Sequence, residues 1–298
     1  MRPFGKATIL AYSLRIGHRF LKTSCTGRKT LLEFYVFQAS PKHLPVGLLP
    51  GTMKLKNKVA IVTGAGSGIG RAIALAFAQE GAGVLVAGRT WPKLHKVAEE
   101  LQAQGLQAWP FQTDVTDVNS VQHLVDEALR RFGKINILVN NAGIFIYKKF
   151  VEVTLEDWDQ TLNTNLKGIF LCCQAVLPHM MAQGQGNIIN ISSIHGKLGD
   201  ANLAPHCASK FGVIGLTQAL AKEVVEYNIN VNVICPGQVS STWIDEDRES
   251  VTPLSTELKP NDVARVAVFL ASLDSAIMTG SVIDVFGRTT VKIGQHSP

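Results

Sequence analysis

The chain is poor in the residues that staple or metallate small domains. Its five cysteines, Cys25, Cys172, Cys173, Cys207 and Cys235, form no CxxC pair and keep no metal-ligand spacing with any His. A disulfide scaffold and a zinc module are therefore not indicated, and the pattern fits reduced thiols in an intracellular protein. Cys207 reads as a small packed residue, with reactivity towards oxidants as the alternative. No apolar run is long enough to span a membrane. Acids are nearly missing from residues 1–52, where Glu33 is the single acid against eight Lys and Arg. That leader accounts for the whole excess behind the net charge of +6: the remaining 246 residues hold 21 Lys and Arg against 22 Asp and Glu. With its body close to neutral, the protein lacks the footprint of a general nucleic-acid surface, and no nucleic-acid partner is expected.

What is present is a globular composition of 298 residues, 46% of them apolar, enough for one large domain or two smaller ones. The leader MRPFGKATILAYSLRIGHRFLKTSCTGRKT has the composition of an organelle transit peptide. The alternative is an untranslated or disordered extension with Met53 as the working start, and MKLKNKVAIVTG favours it by reading as a complete beginning. The expected organisation is a basic extension over 1–52 and one domain over 53–298, cytoplasmic, or mitochondrial if the leader is a transit peptide. Residues 44–51 read as a Pro/Gly-punctuated linker.

From Lys58 onward, strand-like and helix-like runs alternate. KVAIVT is a β-branched strand followed at once by GAGSGIG and the helical RAIALAFAQEG. Gly64, Gly68 and Gly70, with Ser67 and Ile69 between, stand where a strand must turn tightly, approach a phosphate and open a closely packed helix. The helix N-terminus offers free N–H groups and a positive dipole end to a pyrophosphate. A second strand over 83–88 ends in Gly88 followed by Arg89. An acid there would bind the 2′-hydroxyl of NAD, whereas Arg can pair with the 2′-phosphate of NADP, so NADP(H) is favoured over NAD(H). Further expected elements are helices over 92–104 and 118–132, strands over 107–112 and 135–139, and a long helix from about Thr154 that runs through LCCQAVLPHMM. Strands over 187–191, 229–234 and 279–285 and helices over 208–225 and 261–272 complete the pattern.

The segment NIINISSIHGKLGDANLAPHCASK, residues 187–210, carries the chemistry. A strand delivers Ser192 and Ser193, and a helix carries His206 and Lys210 four residues apart, hence on one face. A hydroxyl, a proton-transfer group and a cation converge, the equipment for moving a proton on or off a substrate oxygen. His195, two residues after Ser193, is a second conceivable proton source, though a loop His is more often solvated.

These motifs resemble the short-chain dehydrogenase/reductase superfamily over Leu55 to about Arg288. Thr63, Gly64, Gly68 and Gly70 match its TGxxxGxG, residues 140–143 its NNAG, and Ser193, position 206 and Lys210 its Ser and Tyr-x-x-x-Lys, with His206 in the place of the Tyr. The resemblance implies a single doubly wound α/β domain of Rossmann type, a central parallel sheet flanked by helices, and an NAD(P)(H)-dependent oxidoreductase interconverting an alcohol and a carbonyl. It implies catalytic roles for Asn165, Ser193, His206 and Lys210. It places the cofactor against Gly64, Ser67, Gly68, Ile69, Gly70, Arg89, Asp114, Val115, Asn141, Ala142, Gly143, Lys210, Pro236 and Gly237, with Ser241 and Thr242 near the carboxamide. A homodimer or homotetramer through the helix after Thr154 and the next one is implied as well. Two departures stand out: His206, which is shorter than Tyr and leaves a catalytically silent NADP(H)-binding or interaction protein as the alternative reading, and Phe286-Gly287-Arg288 where the family has Asp-Gly-Gly.

Overall fold

Short aliphatic runs such as VAIVT, GVLVAG and ILVN are buried at every position, as expected of strands covered on both faces. The computed structural model describes residues 53–239 and 258–287. The leader, Ser241, Thr242 and Arg288 lie outside these. Seven strands, β1 (Val59–Thr63), β2 (Gly83–Gly88), β3 (Ala108–Gln112), β4 (Ile137–Asn140), β5 (Gly186–Ile191), β6 (Ile229–Pro236) and β7 (Val282–Val285), form one sheet in the order 3-2-1-4-5-6-7. Every pairing is parallel.

Helices cover both faces. On one, α1 (Gly68–Gln79), α2 (Trp91–Gln102) and α7 (Pro260–Ala271) bury Ile73, Phe77, Leu94, Leu101 and Val263. On the other, α3 (Val118–Phe132), α5 (Gly168–Gln183) and α6 (Ala204–Val224) bury Leu124, Val125, Ile169, Val176 and Val213. This is the doubly wound domain that strand–helix alternation predicts. The chain winds outward from β1 to β3 and then returns to β4 on the other side of β1. That reversal opens a crevice at the carboxyl ends of β1 and β4, the place where such sheets take ligands.

Thr154 caps the expected long helix: its Oγ1 accepts from Asp157 N–H at 3.1 Å while the Asp157 carboxylate accepts from Thr154 N–H at 3.0 Å. The helix is not uniform, however. Between α4 (Leu155–Leu162) and α5 the turn Asn163–Lys167 is a π-helix, a widening that recurs at functional sites. Among the described residues, no helix is long and apolar enough to cross a membrane.

Candidate active site

The glycine loop leaving β1 is clamped from β4. Thr63 Oγ1 accepts from the N–H groups of Asn141 and Ala142 at 3.0 and 3.1 Å, and Asn141 Nδ2 donates to the carbonyls of Thr63 and Gly64 at 3.0 and 3.2 Å. Gly64 has φ +64°, and a Cβ there would lie 2.9 Å from Ala142 Cα. Gly70, two residues into α1, would press a Cβ into the Gly64 carbonyl and Asn141 Nδ2. Only a bare backbone lets helix, loop and β4 approach this closely. Ser67 caps α1 without a side-chain capping bond, Gly68 has open space above its Cα, and Ile69 packs against the core. The cradle and the unpartnered N–H groups of the first helical turn suit an anionic pyrophosphate.

The other expected cofactor residues line the same carboxyl edge. Arg89 is exposed at the end of β2, its backbone carbonyl accepting from Gln112 Nε2 at 2.9 Å. Asp114 follows β3; burial works to raise its pKa, but hydrogen bonds from the Thr116 N–H and hydroxyl, at 2.9 and 2.8 Å, and the Arg89 charge hold it below the usual value. Val115 is buried beside it. Ala142 and Gly143 follow β4, and Pro236 ends β6, after which Gly237 N–H donates to Val285 O at 2.9 Å.

Across the crevice, β5 delivers Ser192 and Ser193 to α6. Ser192 Oγ donates to the Lys210 carbonyl at 2.8 Å, and Lys210 Nζ donates to Ile191 O at 2.9 Å, so strand end and helix are bound in both directions. Gly196 permits this contact, since a Cβ there would collide with Ser192 Oγ. Burial pushes the Lys210 ammonium down to about 8, which leaves it a cation at neutral pH. Beneath, Asn140 Nδ2 donates to Asn190 Oδ1 and Asn190 Nδ2 to Thr217 Oγ1, both at 2.9 Å, linking β4, β5 and α6. The Asn165 side chain, inside the π turn, is wholly engaged: Oδ1 accepts from Ile144 N–H at 2.8 Å, and Nδ2 donates to Ile144 O at 3.0 Å and to Ser209 Oγ at 3.1 Å.

His206, in the first turn of α6, is 8% exposed. Its ring meets Phe145 edge-on at 5.0 Å and His195 at 5.8 Å between centroids. Burial first, then the Lys210 cation and His195, push its pKa down to about 3 against a hydrogen bond with the Ile144 backbone. Its Nδ1 has no hydrogen-bond partner among the described residues. The ring is therefore neutral, and a neutral imidazole is a weak proton donor. Because the folded value lies below the ordinary one near ~6.5, the stability tied to His206 is complete above that value and is lost as pH falls through it. Between pH 7.5 and 5 the protein should lose about 2 kcal/mol more than His206→Tyr, read from urea unfolding at the two pH values; equal losses would show that the ring protonates freely.

His195, expected as a solvated loop residue, is instead engaged. Its main-chain N–H donates to Ser193 Oγ at 3.2 Å, its Nδ1 lies 3.5 Å from the same oxygen, and its Nε2 lies 3.5 Å from Asp200 Oδ2. Sequence reasoning named Ser192 without a bracing role and left out Gly196 and Ser209. Their signal was weak, because a small residue next to a motif has many ordinary uses.

Comparison with known proteins bears on all of this. Residues 58–251 match the family described as short chain dehydrogenase. A protein of Thermotoga maritima named 3-oxoacyl-(acyl-carrier-protein) reductase FabG is 39% identical over 246 residues, 80% of this chain and 100% of that one. A protein of Thauera aromatica named (2S)-((R)-hydroxy(phenyl)methyl)succinyl-CoA dehydrogenase subunit BbsD is 37% identical over 249 residues, 81% of this chain and 100% of that one. Among solved structures, that of gox2181 superposes with a TM-score of 0.76 at 34% identity, covering 79% of this chain and 96% of that one.

Proposed function

The chain belongs to the short-chain dehydrogenase family, whose members are oxidoreductases, and from that membership we propose that residues 53–298 form an NADP(H)-dependent enzyme interconverting an alcohol and a carbonyl, with His206 in the position of the family's proton-donating Tyr. The observation that carries this reading is the meeting of Ser193 and Lys210 at the carboxyl end of β5, joined through Ser192, on the same sheet edge as the glycine cradle. The bound cofactor supplies or accepts the hydride. In this proposal Gly64 to Gly70 and Asn141 hold its pyrophosphate and Arg89 the 2′-phosphate. The Lys210 cation orients the nicotinamide ribose, Ser193 hydrogen-bonds the substrate oxygen, and Asn165 fixes the loop after β4. With a neutral His206 the enzyme is slow.

The names of the relatives put 3-oxoacyl thioesters and aryl-bearing acyl-CoA alcohols first in a substrate panel, and Phe145, 57% exposed beside His206, suits an apolar group next to the reacting carbon. The neutral ring of His206, whose Nδ1 has no hydrogen-bond partner among the described residues, favours one second reading, a silent NADP(H) binder. The test is NADPH binding by fluorescence with the full chain, then NADPH oxidation with the carbonyl panel from pH 5 to 9. Binding with turnover supports the enzyme; binding without turnover leaves the silent protein; no binding removes the cofactor assignment.

Arg89→Ala should weaken NADPH about tenfold, the scale of one charge-assisted hydrogen bond at an exposed position, while leaving NADH within about twofold. Parallel fluorescence titrations check it, and an equal loss for both would assign Arg89 a role other than the 2′-phosphate. Assembly as a dimer or tetramer belongs to the same proposal, supported by an apolar groove between α6 and the run from the end of α4 through the π turn into α5, lined by Leu162, Leu166, Phe170, Gly212 and Leu216.

A further inference from the structure

Two side chains outside the expected constellation, His195 and Asp200, form a line with Ser193 at the rim of the site. Ser193 Oγ is fixed by the His195 N–H at 3.2 Å and faces His195 Nδ1 at 3.5 Å, and the far nitrogen of that ring faces Asp200 Oδ2 at 3.5 Å. The His195 side chain is 25% exposed and the Asp200 side chain 63%, so the line runs from the covered hydroxyl to water. His206, the nearest ring on α6, is neutral and its Nδ1 is shut away from solvent.

We propose that His195 is the proton relay of this site: it recharges Ser193, which passes its own hydroxyl proton to the substrate oxygen, and Asp200 orients the relay ring at its far nitrogen. This rests on the oxidoreductase reading above and changes who supplies the proton. On reduction the carbonyl carbon gains the hydride of the reduced nicotinamide, and the C=O bonding pair moves onto oxygen. That oxygen takes the Ser193 proton, Ser193 takes the Nδ1 proton of the His195 imidazolium, and water returns a proton to the ring. The sum is one hydride and one solvent proton added across the carbonyl; oxidation of the alcohol is the reverse.

The geometry suits each step. A serine hydroxyl is too weak an acid to end as an alkoxide, so its proton can leave only as another arrives. The ring is within reach of that oxygen, and distances of this kind shorten once substrate is bound. The carboxylate at Nε2 orients the ring, the role of a third group in nucleophile–base–carboxylate arrangements. Among the described residues, the charged and titratable groups on the elements packed here are Asp200 on the same loop, His206 and Lys210 on α6, Cys235 on β6, and Lys197, whose Nζ pairs with Asp284 on β7 at 2.6 Å. Lys210 donates to Ile191 O and Lys197 is tied to Asp284, so among the described residues Asp200 is the charged group in contact with the His195 ring.

The experiment compares His195→Asn in two backgrounds of the full-length protein, wild type and His206→Tyr. In wild type, kcat for carbonyl reduction should fall roughly tenfold to a hundredfold, below the full effect of a general acid because the proton path is longer, with NADPH affinity unchanged. The pH dependence below neutrality should flatten, and free imidazole should restore part of kcat. In the His206→Tyr background, where a phenol supplies the proton directly, the loss should shrink to about twofold. Independently of turnover, the His195 imidazole resonances of the apoprotein should move in Ser193→Ala and in Asp200→Asn, because these residues face its two ring nitrogens. Equal losses in both backgrounds, or an unaffected kcat in wild type, overturn the relay. So does a wild-type protein that binds NADPH without turnover while His206→Tyr is active. Failure of wild type to bind NADPH at all sinks the cofactor reading instead, so the two failures are distinguishable.

Discussion

Replacing His206 by Tyr is expected to raise carbonyl reduction by about a hundredfold or more, the lower end of what a positioned general acid contributes. The premises are local. Burial and the neighbouring Lys210 cation hold the imidazole neutral, while the same cation favours a phenolate and so turns a phenol into a usable acid. Ser193 and Lys210 are already tied into place by hydrogen bonds that do not involve the ring. Phe145, half exposed against the ring, can yield the extra volume a phenol needs. Initial rates of NADPH oxidation with 3-oxoacyl thioesters, wild type against variant at pH 7, measure the gain. An unchanged rate in a variant that still binds NADPH would mean that something other than proton supply limits the reaction.

Gly70→Ala should act at the other end of the crevice. The added methyl has nowhere to go: it meets the Gly64 carbonyl, which is backbone, and Asn141 Nδ2, which is already held by the carbonyls of Thr63 and Gly64. Either α1 backs away from the loop or the clamp on the loop opens. Overpacking of this kind costs about 1–3 kcal/mol, which corresponds to a tenfold to hundredfold weaker NADPH complex, at about 1.4 kcal/mol per decade, if the cradle absorbs the displacement. Part of the cost should appear as a lower Tm, by about 2–4 °C per kcal/mol for a domain of this size. Fluorescence titration and thermal unfolding separate the two. An alanine that leaves both unchanged would reveal slack between α1 and β4.

The fold was legible in the sequence because parallel strands buried on both faces write themselves as unbroken aliphatic runs. β1, β2 and the β5-to-α6 passage needed little more than that. The glycine loop was legible because its residues are chosen by backbone geometry. His206 and Lys210 could be placed together because a helix fixes the i, i+4 relation. The π turn at Asn163–Lys167 could not be read: one extra residue in a helical turn leaves no mark in the periodicity of TLNTNLKGIF. Nor could the contact of His195 with Ser193 and Asp200, since it depends on the path of the loop after β5, where no period constrains side chains. His195, read either as a proton source or as a solvated loop residue, is partly covered, its side chain 25% exposed, for that reason. The Asn165 to Ser209 brace was hidden likewise, as a bond between two small polar residues 44 positions apart.

The strand order has a consequence for how the molecule is made. β1 takes β2 as one neighbour after a short connection, but its other neighbour is β4, with Ala60 opposite Ile137, 77 residues later. At a synthesis rate of about 5–20 residues per second, one edge of β1, a strand buried at every position, waits about 4–15 s for its partner to leave the ribosome. During that interval β1 to β3 can pair among themselves but present an unpaired row of backbone donors and acceptors to any other nascent chain. Survival of the newborn protein therefore depends on what shields that edge, and substitutions that slow formation of β4 should lower yield in cells before they alter the finished molecule.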